Sequence, residues 1–389
     1  TTTDTWLSRA GGIASDQGGG SQGDNGESDI AHMNNIRNDL LEYGYTSVDQ
    51  IYDPGASAST VATNVNAGRG FINYVGHGST TSWGTTGFNY NNAMALTNGY
   101  KSPFIMDVAC VNGNFVNYTC FAEGWMRSPN GGAISIYAST INQSWNSPMR
   151  AQDEVTDLWI ADAKSTAGGY YYSGSCKMMD VYGNTNGSDG VKMFKTWHIF
   201  GDASLLVRSK TPLAMTVNHP HQITIGTSSM NISTGVPNAL VALTSDNHIY
   251  ARGTTDDSGN LSLTLSGLPS QVISFTLTVT AYNRVTYIGA VQQVTTPANP
   301  RFVAEWEPAQ GAIVRYPFGQ PYSLLQDLAE NSLLYVLVTE TLQGTAHANL
   351  QANGIDMGNV RYINAPTDSY WIRDYGPWSV FDDELNLHL

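Results

Sequence analysis

The hydrophobic periodicity of this chain changes twice along its length, and no single fold accommodates all three patterns. From Thr1 to about Arg208 helical and strand signals alternate, which predicts a sheet layered with helices. Past Pro212 the helical spacing vanishes. Phe275, Leu277, Val279 and Ala281 alternate with Thr276, Thr278, Thr280 and Tyr282, the period of a half-buried strand. Similar runs at 239–244, 248–255 and 261–265 predict a small β-sandwich, with Asp256-Asp257-Ser258-Gly259-Asn260 closing a hairpin between two of them. After the Pro- and Thr-rich linker 295–300 the helix and strand signals resume. Strands are predicted there at 311–316, 333–338 and 360–364, and crossover helices at 322–330 and 346–352. The 389 residues therefore divide into domains at 1–211, 212–297 and 298–389, and the length supports three cores. The third, about 90 residues, is expected to be cut short.

Within the first region Ile30, Met33, Ile36 and Leu40 recur at helical spacing behind the polar run 24–29, which supplies capping residues. Runs at 71–75, 104–108 and 133–138 are apolar and bounded by Gly, Pro or Asn, as buried strands are. Ligands of open α/β sheets sit beyond the carboxyl ends of such strands. Lys+Arg 18 against Asp+Glu 32 leaves a net charge of −14, so nucleic acid is not an expected partner. The most apolar stretch, 333–338, is far short of the about 20 residues of a spanning helix, and no transmembrane segment is expected. Three cysteines exclude a disulfide scaffold and leave at least one thiol free.

Two of the strand ends carry a thiol and an imidazole. Gly76-His77-Gly78 follows the first, and Asp107-Val108-Ala109-Cys110-Val111-Asn112-Gly113 closes the second. A thiol needs a base nearby to become a thiolate, and adjacent strand ends can bring Cys110 and His77 together. The glycine after the histidine leaves the Gly78 N–H able to face an oxyanion, with the Cys110 N–H as a second donor. The same residues also read as a buried thiol and a packed imidazole.

The segments 74–79 and 104–113 resemble the gingipains, clostripain-like cysteine endopeptidases with a caspase-like fold. The resemblance continues through 138–145, 147–150 and 200–208 and covers about residues 1–297. It implies a caspase-like α/β catalytic subdomain followed by an all-β immunoglobulin-like sandwich. It further implies Cys110 as nucleophile, His77 as general base and acid, and the Gly78 and Cys110 amides as the oxyanion hole. Asp29 matches the acidic residue that binds the P1 side chain, and Trp145 and Met149 match the pocket walls. A carboxylate at the base of an aromatic-walled slot grips a planar guanidinium, so proteins or peptides with Arg at P1 are the expected substrates. Taken alone, Asp29 also reads as a helix cap and Trp145 as a core aromatic.

Where the arginine-specific members carry a Glu that orients the histidine, this chain has Gln17 with Asp16 beside it. Gln17 can accept from an imidazole N–H but cannot stabilise an imidazolium as a carboxylate does, so either residue is a candidate third member. The resemblance also implies structural calcium, no organic cofactor, and a secreted or cell-surface location in a Gram-negative bacterium. It implies another α/β subdomain ahead of Thr1 as well. The loop 24–27 is oxygen-rich but lacks EF-hand spacing. His219 and His221 read as surface residues rather than a transition-metal site.

Residues 301–308 and 367–376 resemble the start of a bacterial peptidylarginine deiminase, related to agmatine deiminases and sharing their α/β-propeller (pentein) fold. That resemblance implies Asp374 pairing with a substrate guanidinium and Trp371 packing beside it; without it, Arg373 and Asp374 read as an exposed ion pair. No cysteine follows Asp374, and His388 is the one later histidine, so an incomplete deiminase is expected. The sequence thus points to a cysteine endopeptidase cleaving after arginine. Its rivals are a non-catalytic arginine-peptide-binding or adhesion module and, third, a deiminase.

Overall fold

The computed structural model describes residues 4–20, 22–116, 118–295, 301–302, 310–366, 380–381 and 387–388. They fall into two units, Thr1–Val294 and Thr295–Leu389. The first begins with β1 (Arg9–Ala14), α1 (Asp29–Tyr43), β2 (Ser47–Tyr52), α2 (Ala58–Ala67) and β3 (Phe71–Val75). A short hairpin of β4 (Gly78–Ser79) and β5 (Ser82–Trp83) follows. Then come α3 (Tyr90–Met94), β6 (Phe104–Val108), α4 (Phe121–Arg127), β7 (Ser135–Ser139), α5 (Asn146–Ile160), α6 (Ala167–Tyr182), α7 (Asp189–Thr196) and β8 (Trp197–Gly201). The third predicted strand is thus shifted by two residues at its start.

The main sheet has the order β2-β1-β3-β6-β7-β8. Its first five strands are mutually parallel and β8 runs antiparallel to β7. Strand alternation sorts the core into two layers. Phe71, Val75, Phe104, Met106 and Val108 face α1, α5 and α6, where Met33, Ile36, Leu40, Val155, Trp159 and Tyr171 meet them. Ile72, Tyr74 and Ile105 face α2, α3 and α4, packing with Val61, Trp83, Phe88, Phe121 and Trp125. The chain moves outward from β1 to β2 and then returns to the other side of β1 for β3. The crevice between the β1 and β3 carboxyl ends is therefore the topological switch point, where ligands of such sheets bind.

The β-sandwich comprises β9 (Gln222–Thr224), β10 (Ser229–Ser233), β11 (Leu240–Ser245), β12 (His248–Thr254), β13 (Asn260–Thr264), β14 (Ser274–Thr280) and β15 (Tyr287–Val294). Its two sheets are β12-β11-β14-β15-β9 and β10-β13, enclosing Met230, Val241, Leu243, Leu263, Phe275, Leu277 and Val291. The expected hairpin at 256–260 is corrected here: β12 pairs with β11 and β13 with β10, so the turn carries the chain between sheets. Asp256 Oδ1 accepts the Ser258 and Asn260 amides, both at 2.9 Å, an Asx-type turn that redirects the backbone. Asp162, just past α5, fastens this sandwich to the main-sheet domain. It accepts from Ser209 Oγ (2.9 Å), Tyr282 OH (3.2 Å) and Asn283 Nδ2 (3.2 Å), and pairs with Lys210 Nζ at 2.7 Å.

The second unit contains β16 (Arg301–Phe302), β17 (Gly311–Arg315), α8 (Tyr322–Asn331), β18 (Leu333–Val338), α9 (Glu340–Ala352), β19 (Val360–Asn364), β20 (Val380–Phe381) and β21 (Leu387–His388). β17, β18 and β19 form a parallel sheet, and Leu325, Ala329, Ala346 and Leu350 of the crossover helices cover its buried face of Val314, Leu334, Val336 and Val338. Trp371 and Asp374 lie outside the described residues.

Candidate active site

Three strand ends of the first unit converge on one crevice, and each delivers its chemistry by a different local device. Past β3, Gly76 (φ +156°) turns the chain so that His77 stands exposed. The buried Tyr74 hydroxyl donates to the His77 carbonyl at 2.6 Å and fixes that turn. The ring Nε2 of His77 meets Gln17 Oε1 at 2.7 Å, and the Trp145 indole stands edge-on to it with ring centroids 5.0 Å apart. An amide oxygen only accepts, so Nε2 is the donor in this contact, and in the neutral ring the lone pair lies on Nδ1.

Past β6, Cys110 is half-buried and makes no hydrogen bond to any described residue. Val111 takes a left-handed conformation (φ +53°), which a β-branched residue adopts only when its surroundings impose it. Its N–H is held by the Ile141 carbonyl at 3.1 Å. The Cys110 amide is unspent. So is that of Gly78: in the β4–β5 hairpin the Gly84 amide bonds the His77 carbonyl at 2.8 Å. Gly78 and Trp83 are therefore the next, non-hydrogen-bonded pair, whose N–H groups point away from each other. A Cβ on Gly78 would lie 2.5 Å from the Cys110 carbonyl oxygen, so only glycine lets the two loops approach this closely.

Past β1 the loop 15–28 brings in Gln17 and leads into α1. Ser28 is the N-cap of that helix, its Oγ accepting the Ala31 amide at 3.2 Å, so Asp29 is not the cap and its carboxylate is turned to other partners. Oδ1 accepts the Trp145 indole N–H at 2.6 Å and Oδ2 accepts the Ser15 hydroxyl. Asp29 is 0% exposed, and burial raises its pKa, opposed by those two hydrogen bonds. The slot expected over Asp29 is thus closed by Trp145. Gly18 (φ +72°) closes its side, since a Cβ there would fall 2.7 Å from Asp29 Oδ1.

Two expectations are corrected. Asp16 has no contact with His77 among the described residues: it lies in a bend just past β1 and stands near Asp53, whose pKa is raised first by burial and then by this like charge. Met149 is 0% exposed and packs in the core one turn along α5 from Trp145.

Sequence reasoning assigned no role to several residues that the fold brings here. Ser15, on Asp29, follows directly after β1, a strand-end position like those of His77 and Cys110. His32 is fully buried behind Asp29, its Nδ1 3.2 Å from Glu27 and 3.4 Å from Asp153. Burial alone would lower its pKa, but the two carboxylates win and raise it. Gln152 joins His32 Nε2 (3.1 Å) to Asn73 Oδ1 (2.9 Å) on β3. Asp107, at the end of β6, is buried and its carboxyl is pushed up to about 8 by desolvation, with Trp83 Nε1 donating to it at 2.8 Å. The oxygens of the loop 24–27 do not fit calcium: Asp24 is engaged by Arg150 (3.2 Å) and Tyr182, and Glu27 by His32 and by Asn35 (2.8 Å). A cation there would have to displace an arginine already neutralising the site.

Comparison with known proteins agrees with this geometry. Residues 1–208 match the model of peptidase family C25, and residues 218–294 match that family's C-terminal Ig-like domain. Over 300 residues the chain is 42% identical to Gingipain R1 of Porphyromonas gingivalis, covering 75% of this chain and 30% of that protein. It is 24% identical over 274 residues to Lys-gingipain HG66 of the same organism, covering 65% of this chain and 16% of that one. The crystal structure of the Arg-specific cysteine proteinase gingipain R superposes with a TM-score of 0.70 at 39% identity, covering 76% of this chain and 69% of that one. The chain thus spans about a third of the length of Gingipain R1. With its caspase-like sheet and immunoglobulin-like sandwich both matched, and more than half of its residues within the catalytic-domain model, this chain belongs to peptidase family C25.

Proposed function

We propose that this chain is a cysteine endopeptidase that cleaves peptides after arginine. The observation that carries the reading is one connected set of side chains: Gln17 on His77, His77 edge-on to Trp145, and the Trp145 indole on the buried Asp29 carboxylate. The base and the acidic P1 anchor share a wall. Higher identity to Gingipain R1 than to Lys-gingipain HG66 supports arginine over lysine.

In the mechanism, the Cys110 thiol gives its proton to His77 Nδ1, and the sulfur attacks the carbonyl carbon following the P1 side chain. The Gly78 and Cys110 amides receive the oxyanion. His77 returns the proton to the leaving amine, and water then hydrolyses the thioester with His77 again acting as base. Gln17 holds the ring tautomer without adding charge. Cys110 and His77 are not hydrogen-bonded in the free protein, and such contacts commonly tighten only with substrate in place. A guanidinium reaching Asp29 must displace Trp145 or Ser15 from it, so the P1 side chain opens its own slot.

The proposal extends to a secreted or cell-surface location in a Gram-negative bacterium and to structural calcium at a site other than the loop 24–27. No described helix is long and apolar enough to cross a membrane. Residues 298–389 are read, from their motifs and the β17–β19 unit, as peptidylarginine deiminase-like, with an α/β-propeller relationship. Incubation with an arginyl chloromethyl ketone, followed by peptide mass analysis, tests the central claim. An adduct on Cys110 is expected, with none from the lysyl reagent or in Cys110→Ala. A folded protein that binds agmatine yet forms no adduct would instead be an arginine-binding module.

A further inference from the structure

The ladder that joins β3 to β6 ends at Val75 and Val108, before either His77 or Cys110 is reached. Beyond it the His77 hairpin and the Cys110 loop are two separate excursions, and the reaction requires their spacing to be fixed. Asn112 spans them. Its Nδ2 donates to the Ser79 carbonyl at 2.6 Å and the Ser82 carbonyl at 3.0 Å, so both amide protons of this fully buried residue are spent on the His77 hairpin. Those two acceptors also fix the orientation of the amide, because a flipped group would set its oxygen against two carbonyls.

Helix α4 reinforces the link from below: the Phe121 amide bonds the Thr80 carbonyl at 2.7 Å and the Ala122 amide bonds the Asn112 carbonyl at 3.1 Å. The left-handed turn at Val111 sends the Asn112 side chain inward, under the hairpin. Asn112 Oδ1 is buried and has no partner among the described residues. A buried acceptor left unpaired is costly, and the site keeps the residue for its two donors.

We propose that Asn112 is a positioning residue that sets the distance between the Gly78 and Cys110 amides, and with it the geometry of the oxyanion hole. The inference rests on the peptidase reading and assigns a role to a residue that touches neither substrate nor the reacting atoms. The contrast that tests it is between a ligand that uses the hole and one that does not. A peptide arginal adds Cys110 across its carbonyl: the S–C bond forms, the C=O π bond breaks, and the thiol proton ends on the new oxygen, which lies in the hole. Agmatine offers the same guanidinium with no carbonyl.

Binding of both is measured for wild type, Asn112→Ala and the isosteric Asn112→Asp, which puts an oxygen where the donor was. Arginal affinity and kcat should each fall by about 100-fold in both variants, the scale of a misplacement of about 1 Å, while agmatine affinity changes less than about twofold. Arginal affinity retained in the variants overturns the inference. So does a parallel loss of both ligands, which makes Asn112 a general structural residue. Failure of wild type to add arginal at Cys110 overturns the peptidase reading itself and is distinguishable from either result.

Discussion

Replacing Asp29 by asparagine separates the charge of the P1 anchor from its shape. The substitution preserves the local structure: the new amide oxygen still accepts from Trp145 Nε1, the contact now 2.6 Å long, and its amino group donates to Ser15 Oγ. What disappears is the negative charge, in a position 0% exposed. A hydrogen bond to a charged group contributes about 1.5–3 kcal/mol, and leaving one partner of a buried ion pair alone costs about 3–5 kcal/mol. Opening the slot forfeits the Trp145 or Ser15 contact for any P1 side chain, and the loss of a favourable charge at the first turn of α1 is likewise independent of ligand.

A thermodynamic cycle of wild type and Asp29→Asn against arginine or citrulline at P1 cancels both, since citrulline has nearly the shape of arginine without its charge. The expected coupling is about 3 kcal/mol, roughly a 150-fold difference in affinity. Calorimetry in a Cys110→Ala background reads binding free of turnover. Because burial raises the Asp29 pKa, the carboxylate is neutralised at a higher pH than usual, so arginine affinity should fall on acidification while citrulline affinity does not. A coupling below about 0.5 kcal/mol, within the range of an exposed pair, would refute the assignment.

Three further outcomes are expected. Gln17→Glu places a carboxylate on His77 Nε2, now 2.7 Å from an amide oxygen; by favouring the imidazolium over the neutral base it should move the acidic limb of the pH–rate profile up by about one pH unit, and an unmoved limb would argue against Gln17 as the orienting group. Asp107 carries its proton up to about pH 8 in the folded state but releases it near pH 4 when unfolded. The folded state therefore binds more protons across that window and stability declines as pH rises through it; Asp107→Asn, which keeps an acceptor for Trp83, should flatten the slope in urea titrations. Asp162→Ala removes the acceptor shared by Ser209, Tyr282, Asn283 and Lys210. At about 2 kcal/mol for this partly exposed cluster, the thermal midpoint should drop by roughly 4 °C, with faster limited proteolysis near residue 212.

The sequence alone indicated the helix over 30–40, the strands 71–75 and 104–108, the alternating strands of the sandwich, and the strands and helices between 311 and 364. Those properties are local: the apolar runs 71–75 and 104–108 are written in the residues and reappear as strands buried on both faces. It also placed His77 and Cys110 at strand ends. Partnerships between distant residues were not legible in periodicity, which says which way a side chain points but not what it meets; only the family resemblance set Asp29 beside Trp145 and left Gln17 and Asp16 as rivals for His77. The strands β12 and β13 carry clean alternation and a good turn between them, yet they join different sheets. Gln17 rather than Asp16 reaches His77 across 60 positions, and Trp145 closes over Asp29 across 116. Asn112 lay within a recognised motif, but its two acceptors, 33 and 30 residues away, exist only once the hairpin folds over it. Tertiary structure decided these contacts because each is a choice among buried donors and acceptors, and only the packed chain determines which of them come within reach.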